Sequence, residues 1–125
     1  LARHRARDED ERQVLERVER ELFSTDPWSR SSSLHVTGSA IVVDRRTSRV
    51  LLRWHDKLGR WLQVGGHSDD SDDSVFDLAL REATEETGLS DLAPYHPSEG
   101  DPIHIVIVPV PANGHEPAHE HLDIR

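Results

Sequence analysis

The sequence predicts a mixed α/β layer fold, and three observations predict it. Segments rich in β-branched residues bracket one central amphipathic helix, a second amphipathic helix precedes them, and Pro-, Gly- and Asp-bearing stretches separate the pieces. The length of 125 residues suits one domain built around one hydrophobic core.

The elements follow in order. Residues 8–23 place Val14, Leu15, Val18 and Leu22 on one stripe, with acids in the first turn to suit the helix dipole, and Asp26-Pro27 ends the helix. That stripe fits packing on the domain or a homodimer contact, and the sequence leaves both open. Trp28 to Ser33 reads as a linker, His35 to Asp44 as a strand, Arg45 to Ser48 as a turn, and Val50 to His55 as a strand pairing back. After a turn at 56–59, a short strand from Trp61 to Val64 runs into Gly65-Gly66. A carboxylate-rich loop leads to a helix over residues 74–87, opened by Ser74 and Asp77 in a capping-box pattern and stopped by Gly88 before Leu89. Beyond a Pro-rich loop, Ile103 to Val110 is a strongly apolar strand, residues 111–120 are a loop, and His121 to Arg125 begin another strand. The expected organisation is a helix and linker over 1–33 and the main domain over 34–125. The chain opens on Leu1 and stops inside an apolar alternation at Ile124-Arg125, so that domain is expected to continue past Arg125.

Composition narrows the function. No apolar run approaches the roughly 18–20 residues of a membrane span, so no membrane partner is expected. Cysteine is absent, which removes disulfides and thiol nucleophiles, and the N-terminus lacks the apolar core of a secretory signal. A cytoplasmic setting is the expectation. The net charge of −9 opposes coating of a nucleic-acid backbone, so no nucleic-acid partner is expected. From Asp69 to Glu86, eight carboxylates accompany one cation, Arg81. A solvated acidic face is the ordinary explanation of such a run, and a bound divalent cation is the other. Spacing has to decide.

At about 100° per residue, Phe76, Ala79, Leu80, Ala83 and Thr87 form the arc expected to face the core. Glu82 and Glu86 stand one turn apart on a stripe bordering that arc, with Glu85 three residues from Glu82. Like charges so placed destabilise a bare helix by about a few tenths of a kcal/mol. A hard divalent cation reverses the sign: Mg2+ takes oxygen ligands at about 2.0–2.1 Å and keeps waters for a phosphate substrate. Two metals bridged by the same carboxylates would clamp the attacking and leaving oxygens of a displacement at phosphorus. Glycines at 65 and 66 allow close backbone approach and offer a carbonyl.

The run Arg81-Glu82-Ala83-Thr84-Glu85-Glu86-Thr87-Gly88-Leu89 resembles the second half of the box of the Nudix (MutT-like) hydrolases, G-x5-E-x7-R-E-U-x-E-E-x-G-U with U a bulky aliphatic. Ala83 is small for its place. The first half departs: Gly66-x5 leads to Asp72, and one extra residue precedes Arg81, so that counting back from Arg81 selects Asp73 instead. Residues 57–67, KLGRWLQVGGH, are similar to the strand-into-GGH lead of a Nudix subgroup, and the resemblance covers roughly residues 34–125. It implies a Nudix-type α/β/α sandwich with a mixed β-sheet and a catalytic helix at residues 74–87. It implies Glu82 and Glu86 as metal ligands, Glu85 as a further ligand or the group positioning the attacking water, Arg81 orienting a glutamate by a salt bridge, and Gly66 contributing its carbonyl. Either Asp72 or Asp73 would replace the usual Glu. The implied cofactor is Mg2+, with Mn2+ as its substitute, and the implied substrate is a small-molecule nucleoside diphosphate derivative cleaved by water attack at phosphorus. Arg53 and His67 are candidates to touch that substrate. Glu116 and Glu120 are candidates for a general base outside the box.

Rival readings are weaker. His115-Glu116-Pro117-Ala118-His119 satisfies the H-E-x-x-H zinc-protease pattern, but Asn113-Gly114 before it and Pro117 within it oppose the helix that chemistry needs. His115, His119 and His121 read instead as surface-loop histidines, or as a loose metal cluster. Isopentenyl diphosphate isomerase, a Nudix-fold relative, relies on a cysteine this chain lacks. A Nudix-fold domain that binds nucleotides without cleaving them is the non-enzymatic alternative. Trp54 and Trp61 fit sheet packing better than base stacking.

Overall fold

Helix α1 (Glu9–Glu21) begins where Asp8 Oδ1 accepts the Glu11 N–H at 2.9 Å, a side-chain cap on the first turn. This computed structural model describes residues 4–21, 26–95 and 101–125; Leu22 of the expected stripe lies outside them. Chain order continues with β1 (Leu34–Ala40), β2 (Val43–Asp44), β3 (Arg49–Val50), β4 (Arg53–His55), β5 (Arg60–Leu62), β6 (Val64–His67), α2 (Val75–Thr87), β7 (Ile105–Val110) and β8 (His119–Ile124). The fold is mixed α/β. Four strands form one sheet in the order β6-β1-β8-β7, with β1 parallel to β8 and the other two pairings antiparallel. None of the helices among the described residues is long and apolar enough to cross a membrane.

The two-residue period of the strands separates two chemistries. Leu34 and Val36 share one face with Leu122, Ile124, Ile105 and Ile107 across the registers Val36↔Leu122, Leu122↔Ile107 and Ile124↔Ile105. Leu34, Val36, Ile105, Leu122 and Ile124 with Val18 of α1 make the core, and Val14, Leu15, Val75 and Ile107 pack against it. The stripe of α1 is therefore spent on the sheet. The position one turn before it is taken by Glu11, whose buried carboxylate accepts from the Ile105 backbone N–H at 2.7 Å. The opposite face carries His35, Thr37 and Ser39 of β1, and Asp123 of β8, all buried. Thr37 and Ser39 hydroxyls donate to Asp123 at 3.2 and 3.0 Å, and Arg125 Nε donates to it at 2.8 Å. Thr37, Ser39 and Asp123 are tolerated there because they are paired.

Three expectations about the strands change. The strand expected over His35–Asp44 ends at Ala40, and β2 pairs with β3 as a separate two-stranded ribbon, as β4 does with β5. Ile41, Val43, Val50 and Leu52 are exposed, so β-branched composition here marks extended chain without a sheet to bury it. The last strand starts at His119, inside the expected loop, because β1 and β7 flank it on both sides from there. Ile103 and His104 precede β7, although the Ile103 N–H donates to the Arg125 carbonyl at 2.7 Å.

Gly38 sets how closely α2 approaches the sheet. A Cβ there would run into Leu78 Cδ2 and stand 3.3 Å from the Ala79 backbone nitrogen. Gly38→Ala is expected to cost about 1–3 kcal/mol by overpacking, read as a lower urea midpoint; an unchanged midpoint would show that α2 shifts freely.

Candidate functional site

Helix α2 is held at both ends by the residues that suggested it. Ser74 Oγ accepts the Asp77 N–H at 3.1 Å and donates to its carboxylate at 2.6 Å, while Gly88 adopts a left-handed φ of 72° and its N–H donates to the Thr84 carbonyl at 2.8 Å. The face turned to the sheet differs from the expected arc. Leu78, outside that arc, is fully buried together with Ala83. Glu82 and Glu86 lie one and two turns beyond Leu78, so the carboxylates project toward β6 and do not merely border the core.

Gly66 makes room for the first of them. A Cβ on Gly66 would lie 2.5 Å from Glu82 Cδ and 2.7 Å from Glu82 Oε2, so the carboxylate occupies the space a side chain would take. One turn on, Glu86 Oε2 accepts the Gly65 N–H at 3.2 Å and Oε1 pairs with Arg53 Nη1 at 2.6 Å. The side chains of Glu82 and Glu86 are 16% and 19% exposed, against 59% for Glu85, which points away and touches Arg81 Nη1 at 3.3 Å. The structure thus brings Glu82, Glu86, Gly66 and Arg53 together and leaves Glu85 on the rim.

Arg81 ties this group to the loop before the helix. Its Nε and Nη2 donate to the two oxygens of Asp72 at 3.0 and 2.9 Å, Nη1 donates to Glu82 at 3.0 Å, and Nη2 reaches the His67 carbonyl at 2.9 Å. The bidentate hydrogen bonds with Asp72 push the Arg81 pKa up and hold the Asp72 carboxyl below its ordinary value. Of the two aspartates left open by the spacing, Asp72 is the one Arg81 clamps, while Asp73 is exposed. Arg81 and Arg53 also supply positive charge among the acids, so the charge run by itself does not require a metal.

The donor set still fits a hard divalent cation. Two partly buried carboxylates one turn apart approach a glycine pair and their chemistry is oxygen-only, whereas Glu82, Glu85 and Glu86 do not gather as a three-acid group because Glu85 points away. Beside them a small cleft is lined by Arg53, His55, Leu62, Gln63, Gly65 and Glu86. Trp54 and Trp61 do not line it: they are exposed and pack edge-to-face on each other at 5.5 Å across the β4–β5 ribbon, not into the sheet.

Other expected residues lie elsewhere. The His67 side chain points to the face opposite Gly66, and only its carbonyl meets the Arg81 group. Glu120 is locked in a bidentate pair with Arg17 of α1, at 3.0 and 2.5 Å, which holds its carboxyl below the ordinary value. Glu116 sits in an exposed loop, where Asn113 Oδ1 accepts the backbone N–H groups of His115 and Glu116 at 2.9 and 3.1 Å. No helix runs through residues 115–119.

His119 and His121 are not surface-loop residues. They stand on β8 beside His35 of β1 and His67 of β6, with ring centroids 4.8–5.2 Å apart among five pairs. Burial, reinforced by neighbouring cationic groups, lowers the pKa of His67 and of His121 to about 4, leaving both rings neutral at pH 7. His35 carries no motif of its own in the sequence, although polar residues alternate in His35-Val36-Thr37-Gly38-Ser39 as they do in His119-Glu120-His121-Leu122-Asp123. Two strands of matching polar period are the signal that pairs them.

Compared with family models and with curated proteins, the chain gives no match in either case.

Proposed function

We propose that the chain is a Mg2+-dependent pyrophosphohydrolase of the Nudix type, cleaving a nucleoside diphosphate derivative by attack of water at phosphorus. The observation that carries the proposal is the convergence of Glu82 on Gly66 and of Glu86 on Gly65, beside a cleft edged by Arg53. The resemblance of residues 81–89 to the second half of the Nudix box supports it independently. On this reading the sheet and its helix-bearing face belong to a Nudix-type α/β/α sandwich, and α2 is its catalytic helix.

Glu82 and Glu86 would hold the metal, with the Gly66 carbonyl as a further oxygen. Bound there, Mg2+ would polarise the phosphoryl oxygens and neutralise charge developing on them. Arg81 is a positioning residue: joined to Asp72 and to the His67 carbonyl, it fixes the orientation of Glu82. Glu85, on the rim and paired with Arg81, would help to position an incoming water on this reading. Arg53 would exchange its pairing with Glu86 for a phosphate oxygen of the substrate.

One observation favours a second reading, a domain that binds nucleotides without cleaving them. The Arg53–Glu86 pair at 2.6 Å occupies an oxygen of an expected ligand. A panel of nucleoside triphosphates, dinucleotides, nucleotide sugars and ADP-ribose, assayed with Mg2+ and with Mn2+, separates the two. Metal-dependent release of a phosphate-bearing product supports hydrolysis; tight nucleotide binding without turnover of any member supports the binding domain.

A further inference from the structure

On the sheet face opposite Glu82, we propose that His35, His119 and His121 form a binding site for a zinc ion, flanked by His67. Their candidate ligand atoms all lie within 4.8 Å of one another. Register creates the group: His35 and His121 are direct partners across the parallel β1–β8 pair, His119 is two residues earlier on the same face, and His67 faces the same side from β6.

The protons point the right way. A carbonyl only accepts, so His35 Nδ1 must donate to the Ser32 carbonyl at 2.9 Å and His119 Nδ1 to the Pro117 carbonyl at 2.9 Å. With the proton fixed on Nδ1, Nε2 is the lone-pair position each ring can offer a metal. Histidines that bind metals characteristically anchor their other ring nitrogen in this manner, which fixes tautomer and ring orientation. His35 is 2% exposed, and its Nε2 has no hydrogen-bond partner. A buried, unpartnered nitrogen lone pair is costly unless something meets it.

Two spacings around His121 match those of a coordination shell, and His35 closes the group within 4.8 Å. His119 Nε2 and His67 Nε2 lie 3.2 and 3.3 Å from His121 Nε2. Tetrahedral zinc with Zn–N bonds of about 2.0–2.1 Å separates its ligand nitrogens by about 3.3–3.4 Å. Hydrogen bonding alone leaves the set unsatisfied: one proton on His121 Nε2 serves at most its two close neighbours and does nothing for His35 Nε2. A cation meets all three lone pairs together. Imidazole nitrogens select zinc and its transition-metal neighbours over Mg2+, so this site and the carboxylate site differ in ligand chemistry as well as in location. Gly66 and His67, adjacent on β6, face one each.

Such an ion would join β1 and β8, and through Ser32 and Pro117 it would steady the segments entering both strands. The test uses the untagged chain, stripped with chelator and titrated with Zn2+ and then with Co2+. The expected result is one tightly held zinc per chain and, with cobalt, the intense visible bands of a four-coordinate nitrogen site. His119→Ala and His121→Ala are expected to weaken zinc binding by about 100-fold, whereas the Glu82→Gln/Glu86→Gln double variant retains it. Weak six-coordinate cobalt bands, or equal zinc affinity in the His119→Ala chain, would overturn the proposal, as would loss of zinc in the glutamate variant alone. The cobalt spectrum of the unaltered chain decides the matter even where a histidine variant fails to fold.

Discussion

Glu82→Gln is expected to reduce the proposed Mg2+-dependent hydrolysis by about 100-fold or more while the protein stays folded. The substitution preserves shape, so the side chain still fills the space above Gly66. It also leaves Arg81 its two bonds to Asp72 and its bond to the His67 carbonyl. What it removes is a negative charge beside Gly66 and, under the proposed function, a hard ligand. A stability loss cannot mimic this result, because the thermal midpoint is read on the same sample. Retention of activity within a few-fold would dissociate Glu82 from the chemistry.

Glu11→Ala is expected to be the most destabilising of the single substitutions considered, at about 3–5 kcal/mol, the range for removing one partner of a buried charge network. The Glu11 side chain accepts the Ile105 N–H at 2.7 Å, the Arg7 N–H at 2.7 Å, Arg7 Nε at 3.3 Å and His4 Nε2 at 2.9 Å. Truncation leaves the Ile105 N–H buried without its acceptor and frees the N-terminal end of α1 from β7. A pH dependence follows. Burial works to raise the Glu11 pKa, but the backbone N–H groups of Arg7 and Ile105 and the His4 ring outweigh it and hold the carboxyl at about 2, against 4.5 unperturbed. The unfolded chain therefore binds the proton more readily. The stabilisation is fully present above about pH 4.5 and is lost as pH falls toward 2. Urea midpoints measured across that window should fall more steeply for the parent chain than for Glu11→Gln; equal slopes would assign the acid sensitivity to other groups.

The local pattern exposed some of this design and concealed the rest, for identifiable reasons. Ser74, Asp77 and Gly88 cap α2 as their identities suggest, because capping is decided within a few residues. The spacing of Glu82 and Glu86 likewise survives as a shared approach to Gly65 and Gly66. Leu78 is as apolar as Leu80 but lies off the arc of Phe76, Ala79, Leu80, Ala83 and Thr87; the glycines of β1 and β6, not local period, turn the Leu78–Glu82–Glu86 stripe inward. In the sequence Glu11 is one of several first-turn acids; its burial depends on the edge of β7, 94 positions away along the chain. The histidine group required a parallel register between β1 and β8, which no local period specifies, although the matching polar alternation of the two strands was present to be read.

The most direct measurement of the hydrolase proposal is turnover of an accepted nucleoside diphosphate derivative in oxygen-18 water with Mg2+. Label incorporated into a phosphate-bearing product, with turnover abolished both by chelation and in Glu86→Gln, is the result expected of water attack at phosphorus. Label in a product lacking phosphate, or turnover that Glu86→Gln leaves intact, would contradict it.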